Sequence, residues 1–169
     1  MDAEQLRALQ APLKQRYRDD PASARTPARA EAVLEMSDIA ATVHTWHGDT
    51  RAGLHKAGGG SGELACSADM LLEALVACAG VTLKSVATAI EVPLTKGLVV
   101  AEGDLDFRGT LGVDKEAPVG FAEIRLRFEV GTDAPQDKLD LLLKLTERYC
   151  VVYQTIKNGP KVSVSMKRI

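Results

Sequence analysis

The chain has 169 residues, 46% of them apolar and 26% charged, with a formal net charge of −2. That length suits one domain with a sizeable core, and the composition is that of an ordinary globular protein. The near-neutral charge, with scattered basic residues and no basic–aromatic stripe, gives no electrostatic reason to expect nucleic acid or an anionic membrane as partner. Met1-Asp-Ala-Glu-Gln has neither a basic start nor a following apolar run, so no signal peptide is expected, and no apolar run reaches the length of a bilayer span. Three cysteines, an odd number, do not make a disulfide framework. A reducing cytoplasm is the expected location, where a disulfide is transient and catalytic.

Leu6, Leu9, Leu13 and Tyr17 recur at three- to four-residue spacing and predict an amphipathic helix over 3–18, kinked or restarted at Pro12. Residues 19–28 are rich in turn formers and read as an exposed linker. The expected organisation is therefore a leading helix and linker, 1–28, and a main domain, 29–169. Short strands are predicted near Arg29–Met36 and Ile39–Trp46, joined at Ser37-Asp38. Residues 48–62, with Gly58-Gly59-Gly60-Ser61-Gly62, read as a flexible loop. They lack the Lys-Ser/Thr ending of a phosphate loop and the spacing of a dinucleotide fingerprint.

A long helix is predicted from Ser67, its candidate N-cap, to Ile90, with Asp69 favourable in the first turn. It is apolar on nearly every face between Met70 and Val86, so burial all round is expected, under a sheet and a second subunit. Ala101, Gly103, Leu105 and Phe107 then alternate with charged residues, as do Ile124, Leu126, Phe128 and Val130. This period of two with one wet face predicts antiparallel strands. Residues 112–119 read as a loop. Pro135 opens a third helix with Leu139, Leu142, Leu143 and Leu145 on its buried side; Cys150 lies at a helix end, and Asn158-Gly159-Pro160 is a stop signal after it. Lys161–Arg168 reads as a last strand, with Val162, Val164 and Met166 inward. The sum is α+β, with a sheet over helices.

The chemistry rests on thiols. Cys78 lies mid-helix among Ala, Leu and Val, where desolvation alone disfavours the thiolate, and a small core residue is the plain reading. Cys150 follows Glu147-Arg148-Tyr149, where a guanidinium can favour thiolate, though a core cysteine near a helix end fits as well. Cys66 reads as a loop thiol. No Cys-x-x-Cys spacing exists, and His44, His47 and His55 read as surface or packing residues, so no metal site is expected. A Cys–His nucleophile stays open, because such partners need only be close in space.

Two stretches carry a resemblance. "DMLLEALVACAGVTL", with its central Cys78, and "YCVVYQTI", with Cys150, stand in this order after a Gly-rich loop and around paired strands. The chain over 29–169 resembles the family of osmotically inducible protein C and the organic hydroperoxide resistance proteins. The resemblance implies an intertwined two-fold homodimer with antiparallel sheets wrapped around long central helices. It also implies a thiol peroxidase acting on organic hydroperoxides without metal or organic cofactor. Cys78 matches the peroxidatic position and Cys150 the resolving position, and an external dithiol would reduce the resulting disulfide. Family members activate the thiolate with an Arg from the first strand pair and a Glu at the start of the Cys helix. Here that helix position is Ala68, and the first turn holds no Arg. The candidate activating groups are therefore Arg29, Glu63 and Asp69, with Arg25 and Arg51 as further arginines. The departure also keeps open a second function, a stress-related protein of the same fold that binds an apolar small molecule with little peroxidase activity.

Overall fold

The computed structural model describes residues 1–168. Its architecture is α+β. Helix α1 (Ala3–Asp19) starts in a reciprocal capping box between Asp2 and Gln5 and runs unbroken through Pro12. A 3₁₀ turn, Pro21–Ala24, leads through the exposed linker to β1 (Glu31–Leu34), β2 (Ala40–Thr45), β3 (Gly48–Gly53) and the two-residue β4 (Ala65–Cys66). These form one sheet in the order β1-β2-β3-β4. The first two pairings are antiparallel and β3–β4 is parallel, so the sheet is not antiparallel throughout.

The expected 48–62 loop is thus half strand. Trp46 and His47 form the tight turn between β2 and β3, so they do not lie on strand faces at all. The turn imposes the β2–β3 register, with Thr45 opposite Gly48 and His44 opposite Asp49. Gly48 at φ +123° supplies the backbone conformation that the return requires.

Helix α2 (Ser67–Ala89) is the centre of the molecule and touches α1, β4, β5 (Lys96–Leu105), α4 (Gln136–Tyr149) and α5 (Val151–Asn158). By length and composition it could cross a membrane, contrary to the expectation that no stretch would reach that length. Asp69, Glu73 and Lys84 interrupt it, and its neighbours make it a packed core helix. Its N-cap is Cys66, not Ser67, and no side chain caps it. Leu75, Ala79, Leu83, Val86 and Ala87 are buried, but Leu71 and Val81 are 41% and 73% exposed. Burial all round is therefore not reached within one chain, because its neighbours leave Leu71 and Val81 open.

Strands β5 and β6 (Phe121–Gly131) form a second, two-stranded antiparallel sheet. The alternation legible in the sequence is realised. Ala101, Gly103, Leu105, Ile124, Leu126, Phe128 and Val130 turn toward the helices, while Arg125 pairs with Asp104 and Glu123 on the wet face. Phe107 departs from the expected pattern. The strand begins earlier, at Lys96, and ends at Leu105, where Asp106 caps the short helix α3 (Phe107–Thr110). Leu83, Val86, Ala87, Val92 and Leu142 form a buried core cluster, with Phe128, Val130, Leu139 and Leu145 packed on it.

Two further expectations change. On α4 the fully buried pair is Leu142 and Thr146, whereas Leu143 is 44% exposed. Thr146 is tolerated inside because its hydroxyl donates to the Leu142 carbonyl at 2.8 Å. Residues 161–168 form no strand, and Val162, Val164 and Met166 are 78%, 92% and 100% exposed. Alternation supplies a face for a sheet, but no neighbouring strand in the chain offers its ladder to this segment.

Candidate active site

Cys78 stands at mid-length of α2, half-buried, and Cys150 is 1% exposed at the joint between α4 and α5. The sequence places Cys150 at a helix end, and the structure agrees and adds a second helix there: Cys150 takes φ −72°, ψ 108°, and is at once the C-cap of α4 and the N-cap of α5. Its N–H donates to Thr146 O at 2.9 Å, the last bond of α4, and its carbonyl accepts from Gln154 N at 2.9 Å, the first of α5. The Gln154 side chain locks the joint by donating to the Glu147 carbonyl at 2.7 Å, one of the orphan acceptors at the end of α4. Asn158 in turn donates to Gln154 Oε1 at 2.8 Å.

The break aims the N-terminus of α5 at α2. The first amides of a helix lack intrahelical partners and carry the positive end of its dipole. Here the N–H groups of Val152 and Val151 point at the Cys78 sulfur. The Cys150 thiol also donates to it, as does the hydroxyl of Thr82, one turn further along α2. Burial pushes the Cys78 thiol up. The four donors together outweigh that and bring its pKa below the ordinary value. Cys150 moves the other way. Burial pushes it up, the Tyr153 and Val152 amides pull it down less, and the neighbouring Cys78 sulfur adds to the rise. The two thiols are thus shifted in opposite directions, Cys78 toward the thiolate and Cys150 toward the thiol. All three cysteines are free, and Cys66 lies twelve residues before Cys78, about 18 Å along the axis of α2.

The charged residues singled out in the sequence lie elsewhere in the chain. Arg29 is 84% exposed and pairs with Glu31 at 2.5 Å. Glu63 and Asp69 are exposed, in the turn before β4 and in the first turn of α2. Arg51 is held by Glu35 through two bonds of 2.8 and 2.7 Å. None of these is among the groups acting on the Cys78 sulfur. His44 pairs with Asp49, and His55 accepts from Ala57 N and stacks on Phe107, so neither reaches a thiol. Among the described residues no cluster of three His, Cys, Asp or Glu side chains could hold a metal.

One turn before Cys78, Leu75 lines a cavity of about 530 Å³ between β6, α4 and α5. Phe121, Leu126, Phe128, Leu143 and Ile156 make it largely apolar, and Glu147, Tyr153 and Lys157 stand among them.

The sequence model of the OsmC-like proteins matches residues 60–165, which hold both cysteines, α2 and the α4–α5 joint. The chain belongs to the OsmC-like family. Solved structures agree in fold. An OsmC-like protein from Mycoplasma pneumoniae superposes with a TM-score of 0.64 at 18% identity, over 79% of this chain and 89% of that one. An organic hydroperoxide resistance protein from Elizabethkingia anophelis, with thiocyanate bound, gives 0.61 at 15% identity over 80% and 92%. A putative organic hydroperoxide resistance protein from Vibrio cholerae, with captopril in one of its active sites, gives 0.58 at 15% over 80% and 88%. Comparison with curated protein sequences gives no match. Within the OsmC-like region, the amides of α5 and Thr82 are the groups that sequence reasoning missed. The only local signals were a cysteine directly followed by an amphipathic "VVYQTI" and a threonine four residues after Cys78.

Removing one amide tests their role. The extended backbone of Cys150 is compatible with a following proline, and proline is tolerated at the first position of a helix. Val151→Pro therefore deletes a donor with little cost to the fold. The pH profile of Cys78 alkylation by iodoacetamide is expected to move to higher pH in this variant. An unmoved profile with unchanged circular dichroism would remove the amides from the account.

Proposed function

We propose that the protein is a cysteine-based peroxidase that reduces organic hydroperoxides to alcohols. The observation that carries this reading is the meeting of Cys78 and Cys150 at the start of α5, with the Cys78 pKa moved down and the Cys150 pKa moved up. In this reading Cys78 thiolate attacks the outer oxygen of the hydroperoxide. The O–O bond breaks, the alkoxide takes a proton and leaves as alcohol, and Cys78 becomes a sulfenic acid. Cys150 then displaces hydroxide from that sulfur, losing its proton, so that water and a Cys78–Cys150 disulfide result. Overall two thiols and one hydroperoxide give a disulfide, an alcohol and water. An external dithiol reduces the disulfide, which suits a reducing cytoplasm. No metal or organic cofactor takes part.

The α5 amides and Thr82 take the activating role expected of Arg29, Glu63 or Asp69, none of which reaches Cys78 within one chain. The cavity at Leu75 offers the organic part of the peroxide an apolar site. Membership of the family and the fold shared with organic hydroperoxide resistance proteins support the substrate class. The test is peroxide consumption. Cys78→Ser abolishes turnover of cumene hydroperoxide, whereas Cys150→Ser consumes one equivalent and stops at an oxidised Cys78. Undiminished turnover in Cys78→Ser contradicts the reading and leaves the apolar-ligand alternative.

The working unit in this reading is a homodimer. Leu71 on α2 is an exposed apolar residue of the central helix, and Val162, Val164 and Met166 form an exposed apolar alternation in a segment that makes no strand. A second copy covers both. Light scattering is expected to give twice the mass of the chain, and Val164→Asp to shift it toward the monomer. A monomeric wild-type protein at micromolar concentration contradicts the pairing.

A further inference from the structure

A second cavity, of about 500 Å³, lies between α1, the C-terminal half of α2 and the end of α4. It is separate from the one at Leu75 and shares no lining residue with it. Leu6, Val81, Val86, Ala89, Ile90 and Leu145 make it chiefly apolar. Its α2 wall, from Val81 to Ile90, is about 13 Å long, a length suited to an extended aliphatic chain. Its α1 wall lies outside residues 60–165, so it belongs to this chain and not to the matched family region. The Arg7–Glu91 bridge at 3.2 Å ties α1 to the residues that follow α2.

Two features give this groove a ligand chemistry. Lys14 is the one charged residue lining it, and among the described residues Lys14 joins no salt bridge. An apolar groove with one uncompensated cation complements a single negative charge on an apolar body. The wall also includes Thr82, one turn after Cys78 on α2, and Tyr149, next to Cys150. Whatever fills the groove touches the flank of the thiol pair.

We propose that the groove between α1 and α2 binds a carboxylate-bearing aliphatic amphiphile, its tail along Leu6, Val81, Val86 and Ile90 and its carboxylate on Lys14. Thr82 connects occupancy to the thiol site, so the bound ligand shields Cys78 from that side. The inference stands on the groove alone and holds whether or not the protein reduces peroxides, because binding is read in the absence of any peroxide.

The probe is decanoate, titrated calorimetrically into the full chain, with 1-decanol as its neutral counterpart. Saturable decanoate binding is expected. Because Lys14 is exposed, Lys14→Met weakens it about two- to fivefold, and decanol binds weaker by a similar factor. Raised salt lowers decanoate affinity and leaves decanol unaffected. Gln10 lines the groove and is half-buried, so Gln10→Trp fills the space and abolishes binding while circular dichroism reports an intact fold. Lys157→Met, at the other cavity, leaves binding unchanged. Absence of saturable binding overturns the proposal. So does binding indifferent to Lys14→Met and Gln10→Trp, or binding that Lys157→Met abolishes, which would seat the ligand at Leu75 instead.

Discussion

The N-terminus of α5 is aimed at a sulfur on α2, and the rest of the site follows from how that aim is achieved. It depends on one residue leaving the helical region of backbone space. Because Cys150 adopts an extended conformation between two helices, α4 ends and α5 begins in a new direction, and unpaired amides face Cys78 instead of bonding within one continuous helix. The same residue carries the second thiol. Geometry and chemistry are therefore coupled: the turn that exposes the amides also brings Cys150 to Cys78. Gln154, anchored to Glu147 and Asn158, holds the turn open.

This arrangement answers the problem posed by α2. An apolar helix is a poor place for an anion, since burial favours the neutral thiol. Paired charges at the protein surface do little to offset that, being screened by water, and among the described residues the carboxylate–guanidinium pairs of Arg29, Arg51 and Arg125 lie at the surface. Backbone amides and a threonine hydroxyl are fixed donors that bring no mobile counter-charge with them. They also act unequally on the two sulfurs: Cys78 receives four donors, one of them the Cys150 thiol, and the two thiols are shifted in opposite directions.

Much of the fold was legible in the sequence, for definite reasons. Period-two alternation in Ala101–Leu105 and Ile124–Val130 marked strands with one wet face, and the unbroken apolar run around Cys78 marked the central helix. That Cys150 ends a helix was legible, but the new helix α5 that starts at Val151 was not, because no glycine or proline punctuates Arg148-Tyr149-Cys150-Val151 and tertiary packing decides the turn. Phe107 continued the alternation on paper, yet Asp106 captured the Arg108 amide and started a helical turn. The segment 161–168 alternates as a strand does, but a strand needs a partner, which this single chain does not supply. As for the site, the two thiols were found by their flanking residues. Their activating donors were not, since backbone amides have no residue type, and attention went to charged side chains that lie on the surface.

The central claim is that Cys78 and Cys150 form one redox unit across the α2–α5 contact. Peptide mass mapping of the wild-type protein after one equivalent of cumene hydroperoxide tests it most directly. The account predicts a single Cys78–Cys150 disulfide, reversed by a dithiol, with Cys66 still free. Cys78 oxidised to sulfinic acid with no bridge, or a bridge through Cys66, would contradict it.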